Sequence, residues 1–484
     1  MGAIAAAINK KGENVVPQVA LMLKELKYRG ADAHGIATPT LVKRAKFVEE
    51  IAVENLASNI ALGHNLSRMF SNDKPQPILG SGYVFVFEGH VFPSSDAPFL
   101  KRLLRKGKSD VQKSCASIIR EIEGSYVFSI VSLEKLLVGR DISGTTPLYY
   151  GDNETTYAVA SEQKALWKIG IRNAKSFPPG TLAKIDSKGF VFQPVQTIGQ
   201  PNTQSVNMES AAKHLQNLLT ESTKKRVSDI DKVAVAFSGG LDSSIIAVLA
   251  KLCEKEVHLV SVGLTNQEEI RFAVSAAETL NMPYYVQTYV IEDVSKILPQ
   301  VLWLIEQPSS VNASIAIPFF WVAKVASELG CNILLAGQGG DELFGGYQRY
   351  LTKYRQGIGS VKKAIFYDVA HSYETNFQRD SQICAFHKVE LRLPFVDRHV
   401  IQYALSLPVS LKIESAEDPL RKRVLRRVAQ NLKLPNSIVS RRKKAIQYAT
   451  GVDKTLRILA KKEGQTLQKY IEKAFQKVYP EAEV

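Results

Sequence analysis

At 484 residues the chain is too long for one ordinary hydrophobic core and implies two domains, with three as the outer option. Apolar residues make up 45% and charged residues 23%, a soluble globular composition; no run reaches the roughly 18 apolar residues that a membrane span needs. Four cysteines without a Cys-x-x-Cys pair or a companion histidine cluster exclude a disulfide framework and a zinc site as expectations, and set a reducing cytoplasm as the default location.

The N-terminal run Gly2-Ala3-Ile4-Ala5-Ala6-Ala7-Ile8 lacks the basic leader and cleavage region of a signal peptide. Ala6 also breaks the lipidation pattern that Gly2 would open, so the run is expected to be a first strand. Helical periodicity follows at 16–27 and 111–122. Strand runs stand at Tyr83–Phe87, Tyr126–Val131, Leu136–Val138, Pro147–Tyr150 and Thr156–Ala160, with a hairpin turn at Gly151–Glu154. This mixture predicts, for residues 1–190, an α+β layered domain: a β-sandwich with flanking helices.

Residues from about 190 to 208 are polar and serve as a linker. From Met208 strands alternate with helices: helix to Thr223, strand Val233–Phe237, helix Ile245–Leu252, strand Val257–Val262, helix Glu268–Leu280, strand Tyr284–Val290, helix Ile315–Leu329 and strand Asn332–Ala336. Such a rhythm implies a doubly wound parallel sheet in a second, α/β domain over 205–484, with a mostly helical part from Gln348 onward.

Ser238-Gly239-Gly240-Leu241-Asp242-Ser243-Ser244 lies between a buried strand and a helix, where free N–H groups and the helix dipole favour an anion. Glycines allow close approach of the backbone to a phosphate, and the serine hydroxyls add donors. Asp242 would repel a bare phosphate, which points to an intervening Mg²⁺. The P-loop pattern and its lysine are absent. A second loop, Gly337-Gln338-Gly339-Gly340-Asp341-Glu342-Leu343-Phe344-Gly345-Gly346-Tyr347, follows another predicted parallel strand and opens at the same sheet edge, so Asp242 and Asp341 could share one metal ion.

The net charge of +15 is concentrated toward the end of the chain, in Arg421-Lys422-Arg423, Arg426-Arg427 and Arg441-Arg442-Lys443-Lys444. These runs form either a solvated helix face or a polyphosphate-facing site. Nucleic acid is the weaker reading, because few aromatics interleave with them.

Together the two loops resemble the asparagine synthetase family. Its order of landmarks extends to Tyr28–Asp32, Gly63-His64, Gln76-Pro77, Glu88-Gly89, Arg140-Asp141, Ala160-Ser161-Glu162, Pro178–Gly180, Val389–Asp397, Lys422–Arg426 and Arg441–Lys443. The resemblance implies an Ntn-hydrolase-like glutamine amidotransferase domain and a PP-loop ATP pyrophosphatase-like synthetase domain. It also implies ATP and Mg²⁺ as cofactors and adenylation of aspartate, with ammonia as the amine. By resemblance, Ser238, Gly239, Gly240, Asp242, Ser243 and Ser244 grip pyrophosphate, and Asp242 and Asp341 hold the metal. Main chain at Phe237, Val262 and Gly337 meets the adenosine, and Lys443 and Lys422 neutralise the leaving charge.

Several departures accompany the resemblance. The family's nucleophilic cysteine corresponds here to Gly2, followed by Ala3. The expected arginine after His64 is Leu66, with Arg68 close by, and the expected oxyanion-hole asparagine is Glu88. Gln338 stands where many members carry a glutamate, and an amide orients a nucleophile without accepting its proton. The expectation is an inactive glutaminase domain and a ligase fed by free ammonia or a separate glutaminase partner. An adenylating ligase that takes another amine, as the β-lactam synthetases do, and a silent nucleotide-binding scaffold are the alternatives. A homodimer is compatible with the chain.

Overall fold

The computed structural model describes residues 2–70, 73–80, 82–92 and 111–480. They divide into two compact units, residues 2–197 and 198–480.

In the first unit a seven-stranded and a six-stranded antiparallel sheet stack face to face. Strand Ala3–Asn9 lies inside the larger sheet, between Ile60–Leu66 and Thr156–Ala160, and its residues are buried on both faces. Alternation explains this. Ala3, Ala5 and Ala7 point to helices Val16–Glu25 and Gln163–Lys168, whereas Ile4, Ala6 and Ile8 point to the second sheet. The far side of that second sheet is covered by helix Val111–Glu121, through Cys115, Ile118 and Ile119. The result is a layered order of helix, sheet, sheet and helix.

The first strand and both predicted helices are observed. The polar stretch after residue 190 is still strand as far as Pro194, because it pairs with Thr181–Asp186. The hairpin turn shifts to Asn153–Thr155: Gly151 and Asp152 remain in the ladder, and the Asn153 side chain accepts from the N–H groups of Thr155 and Thr156. Strands Ala33–Ala37, Ile60–Leu66 and Thr181–Asp186 had no distinct pattern in the sequence, since their neighbours on both faces are protein and polar alternation is lost.

The second unit holds a five-stranded parallel sheet in the order Tyr284–Tyr289, Glu256–Leu264, Lys232–Ala236, Ile333–Leu335, Glu390–Arg392. The fifth strand, unread from sequence, is three residues long. Arg392 anchors it, donating to Asp229 at 2.6 and 3.0 Å and to Glu390 at 2.7 Å. Chain order reverses between Lys232–Ala236 and Ile333–Leu335, so the loops leaving these two strands diverge and leave a crevice at the sheet edge. Helix Ser310–Glu328 is, among the described residues, the one helix long and apolar enough to cross a membrane; 67% of its apolar window is buried, and it packs on strand Glu256–Leu264.

A buried ion cluster ties the first unit together. Arg29 and Lys164 reach the fully buried Glu162 at 2.6 and 2.5 Å, Tyr28 donates to the same carboxylate, and Arg29 Nε donates to the Gly2 carbonyl at 2.8 Å. Burial raises the Glu162 pKa, but Lys164 and Arg29 outweigh it and hold the group below its ordinary value. Its contribution to stability is therefore present above the ordinary carboxylate range and lost as pH falls through the depressed folded value. Glu162→Ala removes the shared counter-ion and is expected to destabilise this unit by about 3–5 kcal/mol, measured as a lower urea midpoint at neutral pH.

Candidate active site

The crevice of the second unit is a cleft of about 260 Å³ lined by Phe237, Ser238, Asp242, Val262, Gly337, Gln338, Asp341 and Lys443, among others. Strand Lys232–Ala236 delivers the chain to the Ser238–Ser244 loop, and helix Leu241–Leu252 begins inside that loop, earlier than periodicity predicts. Asp242, Ser243 and Ser244 thus occupy the first helical turn. Gly240 at the N-cap supplies no side-chain acceptor, so the first N–H groups of this helix are left for another partner. Gly239 adopts φ +67°, the left-handed region where glycine is unstrained. The bonds closing the loop are long: Ser238 Oγ to Ser243 Oγ 3.3 Å, Gly240 N–H to Ser238 Oγ 3.3 Å, and Ser243 Oγ to the Gly240 carbonyl 3.2 Å. Bonds of that length are readily exchanged for a charged acceptor.

Phe237, Val262 and Gly337 border the same cleft. The Phe237 N–H is held by the Val260 carbonyl at 2.8 Å, and its carbonyl accepts from Ser261 Oγ at 2.7 Å, keeping one lone pair. Gly239, Gly240, Ser244 and Lys422 belong to the surrounding frame rather than to the cleft lining.

Four charges meet at the floor, three in its lining and Lys422 behind it. Lys422 Nζ lies 2.5 Å from Asp242 Oδ2 and 2.7 Å from Asp341 Oδ1, and Lys443 Nζ pairs with Asp341 Oδ2. Burial raises the Asp341 pKa, but Lys422 and Lys443 outweigh it and keep the carboxylate ionised far below its ordinary range. Burial lowers the Lys443 pKa, yet Asp341 and Asp242 outweigh that effect and raise it, so the ammonium persists. The approach of these groups needs missing side chains: a Cβ on Gly346 would lie 2.0 Å from Asp341 Oδ1 and 2.3 Å from Lys422 Cε, and one on Gly337 would lie 2.9 Å from Asp242 Cβ.

The basic runs prove to be a frame for this floor. Arg421 and Lys422 both hold positive φ, +50° and +55°, a conformation costing roughly 1–2 kcal/mol for each such residue. Arg426 offsets this by donating to the carbonyls of Arg421 (2.7 Å), Leu420, Val439 and Arg441, which joins the Lys422 segment to the Lys443 segment. Glu269 fixes the other side through Arg441 and, at 2.8 Å, Lys444.

At the cleft and in the frame behind it, Asp242 Oδ1 and Ser244 Oγ are buried without a hydrogen-bond partner among the described residues. A carboxylate oxygen and a hydroxyl left over beside free helix N–H groups fit a polyphosphate with its metal ion. The cleft also holds groups with no motif in the sequence. Tyr347 and Asn376 both donate to Glu342, at 2.5 and 2.9 Å, and Gln338 Nε2 donates to Asp380 Oδ2 at 2.8 Å. Glu342 and Tyr347 were legible as loop members; Asn376, Arg379 and Asp380 sit on a helix whose pattern marks nothing unusual.

In the first unit, Glu88 occupies the surroundings of Gly2. The Gly2 N–H donates to Glu88 Oε1, and His64 Nε2 lies 3.3 Å from Glu88 Oε2. Burial raises the Glu88 pKa, but the His64 hydrogen bond first, and the Gly2 N–H after it, hold the carboxyl below its ordinary value. A Cβ added at Gly2 would meet the Asn65 carbonyl oxygen at 2.0 Å and Glu88 Oε2 at 2.9 Å, so no side chain fits there. Cys115 lies elsewhere, on the buried face of helix Val111–Glu121.

Comparison with known proteins accords with this geometry. The family model described as asparagine synthase matches residues 214–358 and 353–482, and the model described as glutamine amidotransferase domain matches residues 65–168. A protein of Methanocaldococcus jannaschii, provisionally named glutamine-hydrolyzing asparagine synthetase 1, is 30% identical over 92% of this chain and 92% of its own length. An asparagine synthetase domain-containing protein of Saccharomyces cerevisiae is 26% identical over 76% of this chain and 78% of its own. Glutamine-hydrolyzing asparagine synthetase B of Escherichia coli is 25% identical over 70% of this chain and 63% of its own. The chain therefore belongs to the asparagine synthase family.

Proposed function

We propose that this chain is an ATP-dependent ligase that adenylates aspartate, releases pyrophosphate and transfers ammonia to give asparagine, without a glutaminase of its own. On this reading the first unit is Ntn-hydrolase-like, the second is PP-loop ATP pyrophosphatase-like, and the enzyme works in the cytoplasm on small molecules. The supporting observation is the four-charge floor, in which Asp242, Asp341, Lys422 and Lys443 meet beside an uncapped helix N-terminus.

The substrate carboxylate attacks the α-phosphorus of ATP. The bond to the β-phosphate bridge breaks, and pyrophosphate leaves with the electron pair. Charge develops on that leaving group, where the loop N–H groups, the serine hydroxyls and the Lys443 ammonium are already oriented. Asp242 and Asp341 would hold a Mg²⁺ ion, whose chemistry is to neutralise phosphate charge. In the second step ammonia attacks the acyl carbon, the bond to AMP breaks, AMP carries away the electron pair, and the new amide nitrogen sheds a proton to solvent. Phe237, Val262 and Gly337 border the space assigned to the adenosine.

ATP–pyrophosphate exchange tests the first step. Exchange is expected with aspartate and ATP, and Lys443→Ala is expected to lower it by roughly 10²–10³-fold, the loss typical of a preorganised electrostatic group. Absence of exchange with aspartate, or an unaffected Lys443→Ala variant, contradicts the assignment.

Glutamine hydrolysis is expected to be absent. Position 2 carries no nucleophile, and Glu88 puts a carboxylate beside it, where like charge opposes an oxyanion. Because a Cβ at position 2 has no room, Gly2→Cys alone is expected to restore no glutamate release from glutamine. Ammonium, supplied free or by a separate glutaminase partner, is expected to support asparagine formation where glutamine does not.

A further inference from the structure

Asp380 has no place in the adenylation step, yet it lines the cleft with its side chain 1% exposed. The helix that carries it has an irregularity. Helix Ile358–Ser372 runs through one π-helical turn, Tyr373–Phe377, into helix Gln378–Phe386. A π turn widens the spiral by one residue and re-aims the side chains beyond it, and such turns gather at functional sites. Here Asn376, Arg379 and Asp380 all face the cleft.

Both Asp380 oxygens are engaged. Oδ1 accepts from Arg379 Nε at 2.8 Å, and Oδ2 accepts from Gln338 Nε2 at 2.8 Å. Arg379 is fixed in turn, donating to Asn312 Oδ1 and to the Thr375 carbonyl at 3.1 Å each. A carboxylate paired with a guanidinium on one oxygen acts as an acceptor on the other, so it selects one of the two orientations of the Gln338 amide. The NH₂ group must face Asp380. The amide oxygen then faces away from it, and among the described residues nothing donates to that oxygen.

An oriented, neutral acceptor in a cleft has a specific use for an amine nucleophile. A neutral amine can donate an N–H to the acceptor and keep its lone pair free for attack. A cationic partner would compete for that lone pair, and an amide NH₂ facing the cleft would cap it.

Resting on the adenylation reading above, we propose that Asp380, braced by Arg379, is a positioning residue that locks Gln338 with its carbonyl oxygen toward the incoming ammonia or primary amine. Gln338 Oε1 is the atom that touches the nucleophile, and Asp380 acts through it.

Asp380→Asn tests the lock, since an asparagine side chain can donate as well as accept and so no longer selects one amide orientation. With ATP, aspartate and ammonium chloride, the variant is expected to keep aspartate-dependent pyrophosphate exchange within about threefold of the parent. Its asparagine formation is expected to fall by roughly 10–100-fold, the scale of a misplaced reactant, with a raised KM for ammonium. Gln338→Ala, which leaves the buried carboxylate in place, is expected to show the same split, and the double variant to be no worse than either single change. Unchanged ammonium-dependent amide formation in Asp380→Asn overturns the proposal, as does a double variant whose losses multiply. If Asp380→Asn fails to fold, full amide formation by Gln338→Ala overturns it equally. A parent chain without exchange on aspartate overturns the adenylation reading itself, and this proposal with it.

Discussion

Two carboxylates and two ammonium groups share the floor of the cleft, and the rest of the second unit is arranged around keeping them there. Taking such groups out of water costs several kcal/mol each, so the cluster persists only with close pairing on both sides. Lys422 provides that pairing by bridging Asp242 and Asp341 from a strained left-handed backbone. Glycines at 337 and 346 provide the room, and Arg426 ties the two basic segments by their carbonyls. A phosphate-binding loop could exist without this network. A loop that carries an aspartate in its own first helical turn could not, because that charge would face the anion alone.

Much of this was legible in the sequence because parallel sheets impose a strict geometry. A continuous apolar strand followed by a glycine-serine turn places the turn at the carboxyl edge, and a second such strand places a second loop beside it. Residues 238–244 and 337–347 were therefore found together. Lys422 and Lys443 stand out through their resemblance to family positions; charge clustering alone leaves a solvated face and a polyphosphate-facing site both open. Their partners were the harder part. Glu269, Arg426 and Asp380 lie on regular helices where a charged residue is ordinary, and what makes each one matter is a contact across more than ten residues or a π turn that no periodicity predicts. The short fifth strand escaped for a related reason: three residues held by Arg392 have no period to read.

The same logic separates the two halves of the chain. The first unit retains its full layered core, with alternating faces filled and the Arg29–Glu162–Lys164 cluster paired. Around Gly2, Glu88 takes the Gly2 N–H and stands against His64 Nε2, while His64 Nδ1 is buried without a partner among the described residues. A depressed carboxylate pKa in such a setting reports satisfaction, since the charged form is what the neighbours stabilise.

In the cleft of the second unit several unmet demands lie close together. Asp242 Oδ1 and Ser244 Oγ remain buried and unpartnered, the helix N-terminus carries no cap, and two successive residues sit at positive φ. Each of these costs stability, and each could be relieved by a single substitution. On the proposed reading a bound ligand would complete these missing contacts. Gln338 extends that logic to the nucleophile. An amide carbonyl pinned by a carboxylate behind it is a small arrangement, but on that proposal it would supply an acceptor with a fixed direction. On the proposed reading, activation would rest on charges that are paired, and the choice of nucleophile on a neutral group whose orientation is borrowed from a charge.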